Sequence, residues 1–234
     1  MLEMLEKLKQ EVYEANMALP KLGLVCLTWG NVSAIDRALG HVVIKPSGVE
    51  YDAMKPEDMV VLDMQGKVVS GNFKPSSDTA THIELYRQFE EIGAVVHTHS
   101  TWATIMSQIS KPLIAFGTTH ADYFAGSIPC TRDMTEDEIN HNYERETGKV
   151  IVEAFKGPGI NPMEIPAVLV KNHGPFTWGA NAKKAVENAF VLEEVAKMAY
   201  YTQNALATTP EMPQTLLRKH FYRKHGDGAY YGQV

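Results

Sequence analysis

Apolar residues recur along this chain at two spacings, and the alternation between them predicts its elements. Leu2, Leu5, Leu8 and Val12 stand at helical spacing among Glu and Lys, which predicts an amphipathic helix over the first 20 or so residues. GLVCLTWG, residues 23–30, reads as a strand running into a glycine turn. HVVIKPSG reads as a second strand, and MVVLDMQGKVVSG as a hairpin about Gln65 and Gly66. SSDTATHIELYRQFEEIG carries helix start and stop signals: Ser77 or Asp78 as cap, Ile83, Tyr86 and Phe89 as the apolar stripe, and Gly93 past the end. GAVVHTHS, residues 93–100, is a strand, followed by a short helix through STWATIMSQ and a strand KPLIAFG.

Thr135 and Glu138 have capping-box spacing at the head of a helix TEDEINHNYERETGKVIVEAF, and Pro158, Gly159 and Pro162 mark the loop after it. AVLVKNHGPFTWG reads as a strand that ends in His173, stopped by Gly174 and Pro175. Asn181 caps a long helix, and a basic helix and a Tyr-rich tail close the chain. Early strands with hairpin signals predict an α/β fold in which helices cover a mostly antiparallel sheet. With no repeat, low-complexity segment or linker, a single domain over residues 1–234 is expected.

Composition narrows the function classes. At 44% hydrophobic and 21% charged, the 234 residues can form a sizeable core. A net charge of −6 argues against a nucleic-acid surface. The N-terminal pattern is not that of a signal peptide, and no apolar run reaches the ~18 residues of a membrane span, so a cytoplasmic protein is expected. Cys26 and Cys130 form no C-x-x-C pair and read as reduced thiols.

Four constellations carry candidate chemistry. His97 and His99 are two apart at a strand end, so both imidazoles project to one face. With His173 from a second strand they can surround one ion, and three neutral nitrogens suit zinc with a position left open. The plainer alternative is histidines exposed at strand ends. Second, KPSSDT (74–79), GNVSA (30–34) and KPSG (45–48) are small polar turns that can together cradle a phosphate, with Lys45 supplying charge, although each alone reads as a cap or a turn. Third, GTTHADYFAG holds His120 and Asp122, the latter a candidate general acid/base. Last, Tyr230 and Tyr231 on a Gly-rich tail gain little unless they pack on something, such as a neighbouring subunit.

In order, TWGNVSA, IKPSG, KPSSDT, VVHTHS, GTTHADYF, IPCTR, NHGPFTWG and KHFYRKHGDGAYYGQ resemble the L-ribulose-5-phosphate 4-epimerases of the class II aldolase superfamily, across essentially the whole chain. The resemblance implies a three-layer α/β/α fold about a mainly antiparallel sheet and a homotetramer with active sites at subunit interfaces. It implies Zn2+, or another divalent metal, on Asp78, His97, His99 and His173. Gly30, Asn31, Ser47, Gly48, Ser76 and Ser77 would hold the phosphate or nearby hydroxyls of a pentulose phosphate, with Lys45 close by. Asp122 and Tyr231 match the acid/base residues, contributed by the adjacent subunit, and Thr118 and His220 match residues near the same site.

The implied reaction is epimerisation of L-ribulose 5-phosphate to D-xylulose 5-phosphate by cleaving and re-forming a carbon–carbon bond, in arabinose catabolism. The alternatives are an epimerase of ascorbate-type catabolism, a class II sugar-phosphate aldolase, or a non-catalytic metal-binding scaffold. The related aldolases carry Glu where this chain has Asp78, which favours the epimerase.

Overall fold

The computed structural model describes residues 2–205 and 208–231. Its sheet is built from strands covered on both faces, apart from the exposed edge strand at 68–70. In β1 (Asn31–Asp36), Val32 and Ala34 enter one apolar cluster while Ile35 packs on another. β2 (His41–Ile44), β3 (Val60–Asp63) and β4 (Val68–Ser70) continue outward from it, with Gly66 at φ +83° in the β3–β4 hairpin. β5 (Ala94–His97), β6 (Ala167–Val170) and β7 (Gly174–Gly179) lie on the other side. The order is β4-β3-β2-β1-β5-β7-β6 and every pairing is antiparallel.

α1 (Leu2–Lys21) and the first half of α7 (Ala182–Ala205) cover one face, packing Val12, Leu19, Ala185 and Ala189 on Val32, Val43 and Val96. α2 (Thr79–Gln88) and α6 (Tyr143–Lys156) cover the other, where Tyr86, Phe89, Ile151 and Phe155 meet Val42, Val95, Phe176 and Trp178. α3 (Thr101–Ile109) and the second half of α7 join that second cluster. α4 (Thr118–Ala121), α5 (Glu136–Asn140) and α8 (Gln214–Tyr222) flank this frame. The result is the helix–sheet–helix layering expected. Among the described residues no helix is long and apolar enough to cross a membrane.

Several elements differ from the sequence reading. Residues 23–30 are not a strand: Leu27 stands at φ +53° and Leu27 and Trp29 are exposed, while Leu24 is the one side chain of this run that is fully buried. The strand begins at Asn31, within what reads as a polar turn. Asn16 makes that possible by donating to the Val32 carbonyl and accepting from its N–H. Residues 111–117 form only one bridge, Leu113 with Ile128. The run 167–179 is two strands, folded at Asn172 (φ +60°), so Gly174 and Pro175 open β7 instead of stopping β6. The helix predicted from Thr135 has its capping box but breaks at Asn142 (φ +57°), giving α5 and α6.

Candidate active site

β5 and the β6–β7 turn bring three histidines together. His97 is opposite Phe176 in the β5–β7 register, which sets the His173 turn beside the end of β5. Ring centroids are 5.0 Å apart for His97 and His99, 4.8 Å for His97 and His173, and 5.1 Å for His99 and His173. One ring nitrogen from each lies within 4.8 Å of the others. Two glycines allow the approach. A Cβ on Gly174 would stand 2.8 Å from the Thr98 carbonyl and 3.3 Å from the His99 ring. Gly30, at φ +76°, would place one 3.0 Å from the His97 carbonyl.

The donor set fits a divalent cation. His97 Nδ1–H donates to the Pro175 carbonyl at 2.9 Å, which fixes the tautomer and leaves Nε2 bare, 3.1 Å from His99 Nε2. Burial pushes His97 down to about 3 and also lowers His99 and His173, so all three are neutral at pH 7, the state in which imidazole can ligate a metal.

Asp78 lines the same cavity but is not part of the histidine trio. Its side chain makes no cap bond to α2, contrary to the capping role its position suggests. It accepts instead from Asn31 Nδ2 at 2.7 Å and Ser76 Oγ at 3.4 Å. Burial would raise its pKa, but attraction to the nearby histidines as they protonate in acid and the Asn31 hydrogen bond outweigh that and hold it below the ordinary carboxylate value.

Gly30, Asn31, Ser47, Gly48, Ser76 and Ser77 line the same cavity, of about 570 Å³. The two serine turns lie side by side, Ser47 N–H donating to the Lys74 carbonyl at 2.9 Å and Ser76 N–H to that of Lys45 at 3.0 Å. Lys45 also lines the cavity, yet its ammonium is engaged by the carbonyls of Thr28 (3.3 Å), Val49 (3.1 Å) and Pro46 (3.4 Å). Burial lowers its pKa. Tyr51 donates to the carbonyls of Trp29 and Gly30 at 2.9 and 3.0 Å, so this pair braces the turn at 28–30.

Tyr143 and Glu144 line the cavity too and were not foreseen. The break at Asn142 starts α6 there and brings Tyr143 Oη 3.4 Å from His173 Nδ1. An asparagine inside a helical pattern, tolerant of positive φ, was the available signal.

The remaining expected residues form a second cluster. Thr118, Asp122, His220 and Tyr231 do not line this cavity within the chain. Thr118 opens α4, and its carbonyl accepts from Asp122 N–H at 2.9 Å. Asp122 accepts from His220 Nδ1 at 2.9 Å and from Arg223 at 2.8 Å, and pairs with Lys224 at 3.2 Å. Burial pushes its pKa up, but the bonds from Arg223, His220 and Lys224 prevail and leave it lowered. Tyr231 is exposed, with the Arg223 and Lys224 cations each 4.7 Å from its ring, and its N–H donates to the Arg223 carbonyl at 3.0 Å. Gly232 and Gln233 of the tail motif lie outside the described residues.

Solved structures share this architecture. An L-fuculose 1-phosphate aldolase is 26% identical, with a TM-score of 0.76 over 91% of this chain and 95% of its own. YgbL from Escherichia coli is 24% identical, with a TM-score of 0.73 over 92% and 98%. L-fuculose-1-phosphate aldolase from Thermus thermophilus is 24% identical, with a TM-score of 0.67 over 85% and 96%. Residues 10–200 match the model of the class II aldolase and adducin N-terminal domain, and it is to that family that the chain belongs.

Proposed function

We propose that the protein is a divalent-metal-dependent 4-epimerase that converts L-ribulose 5-phosphate to D-xylulose 5-phosphate, as arabinose catabolism requires. Asp78 carries the choice of epimerase over aldolase. It is one methylene shorter than the glutamate of the related aldolases, and its carboxylate is held ionised against Asn31, so it keeps a charge instead of ferrying a proton. His97, His99, His173 and Asp78 would hold the ion, for which three neutral imidazoles suit zinc or another divalent metal, and which when bound supplies Lewis-acid polarisation of a ketose carbonyl.

The chain's own residues do the rest. The turns at Gly30–Asn31, Ser47–Gly48 and Ser76–Ser77 offer N–H and hydroxyl donors to the phosphate, and Lys45 braces them from behind. In this ketose the hydrogen at the fourth carbon is β to the carbonyl, so enolisation cannot release it. Cleaving the bond between the third and fourth carbons leaves its electrons conjugated with the carbonyl. The aldehyde half then turns, held by its phosphate, and re-addition inverts the centre. Asp122 and Tyr231 take and return the proton of the fourth-carbon hydroxyl on opposite faces. Because they stand apart from the histidine cavity, they reach it from a neighbouring copy in a homotetramer, with Thr118 and His220 beside them.

A sugar-phosphate aldolase is the second reading, favoured by the 26% identity to an L-fuculose 1-phosphate aldolase. An epimerase for another pentulose phosphate is a variant of the first. The test is metal-loaded protein with L-ribulose 5-phosphate, before and after chelation. D-xylulose 5-phosphate should form, cease with chelator and return with zinc. Free dihydroxyacetone and glycolaldehyde phosphate would establish an aldolase; absence of either chemistry would overturn the epimerase, and L-fuculose 1-phosphate as substrate then tests the aldolase reading.

A further inference from the structure

α3 begins two residues after His99, and no local side chain caps it: Ser100 stands at the cap position and makes no cap bond. The first-turn N–H groups are met from 91 residues away. Glu193 of α7 accepts from Trp102 N–H through Oε1 at 2.9 Å and from Ala103 N–H through Oε2 at 2.9 Å. Glu193 is 8% exposed, and no ion pair among the described residues includes it. Burying a carboxylate without a countercharge is expensive, and Ser100 is of a residue type that can cap a helix locally, yet the donors are met by Glu193 instead. What the distant carboxylate adds is a tie between elements.

That tie bears on the histidines. The same helix holds β7 through Asn188 Nδ2, which donates to the Trp178 carbonyl at 2.8 Å. β7 in turn supplies the Pro175 carbonyl that orients His97. One helix thus grips both segments that converge on the trio. Resting on the metal-site reading above, we propose that Glu193 is a positioning residue. By anchoring the start of α3, it fixes the turn that carries His99 against His97 and His173.

The test is cobalt(II) titration of the full-length protein, read by visible absorption at a temperature where circular dichroism shows each variant folded. Glu193→Gln keeps the size of the side chain but sets an amide N–H against a backbone N–H. Its cobalt affinity should fall about tenfold, as for residues that orient metal ligands, with a changed absorption band. Thr135→Ala, which loses a helix cap away from the site, should bind as the wild type does. A Glu193→Gln variant matching the wild type in affinity and spectrum would overturn the inference and leave a merely structural cap. Should that variant not fold, Glu193→Asp, which keeps the charge but is one methylene shorter, gives the same readout with the same two outcomes. A wild type that takes up no cobalt would overturn the metal reading and this inference with it.

Discussion

His120 is a histidine that the fold cannot leave charged. It is buried, its Nε2–H donates to the Gly126 carbonyl at 2.8 Å, and its ring meets Phe124 edge-on. Burial, the dominant cause, pushes it from 6.5 down to about 4. Between those values the unfolded chain binds a proton that the folded one refuses, so stability falls as pH drops through this window. From pH 7 to pH 5 the His120 contribution is about 2 kcal/mol. His120→Gln should remove that part of the pH slope in urea unfolding, and an unchanged slope would disprove a neutral buried ring. At this scale the sequence is uneven. The H-x-H pair is visible, but alone it reads equally well as exposed histidines at a strand end, and His173 at the end of a second apolar run is what strengthens it. The position of Lys45 is equally visible, but of the three carbonyls around its ammonium those of Pro46 and Val49 are local and that of Thr28 belongs to a separate turn, so its bracing role between the two turns is not.

At the scale of elements, the β6–β7 hairpin and the turn after β5 form one unit. Gly174 sits where they touch, and the contact distances leave no room for a methyl group. Gly174→Ala should destabilise the protein by about 1–3 kcal/mol, by overpacking, and weaken metal binding because the clash falls on Thr98 and His99. Urea unfolding together with cobalt titration checks both effects. The strands misread near the start of the chain share one cause. A run of β-formers such as residues 23–30 becomes a strand only if a neighbouring strand accepts it, and here the chain pairs from Asn31 instead. Asn31 and Ser33 look like turn residues because their hydrogen-bonding partners are invisible in the sequence. Ser33 bonds to His82 and Tyr86, each at 2.7 Å. Helix signals with local chemistry, such as the Thr135–Glu138 box and the Asn181 cap, read correctly.

For the whole molecule, the expected catalytic residues divide between two places in one chain, and this predicts complementation. His99→Asn and Asp122→Asn should each be inactive as pure proteins. Refolded together in equal amounts, they should recover about a quarter of wild-type turnover, since random assembly pairs an intact histidine cavity with an intact Asp122 cluster in about one site in four. Absence of recovery would mean that no site is built across copies. Which residues can take part, where the locally signalled helices start and that the sheet would be mostly antiparallel were already legible in the linear chain. The elements follow from periodicity, capping chemistry and side-chain type, all of which act over a few residues, while most of the site residues come from the resemblance of ordered motifs to a known family. Folding alone settled that three imidazoles meet, that Asp78 faces Asn31 instead of its own helix, that Tyr143 and Glu144 join the cavity, and that Asp122 stands apart from it. Those outcomes depend on which strands pair and which buried groups find partners, and such contacts are made between residues tens of positions apart.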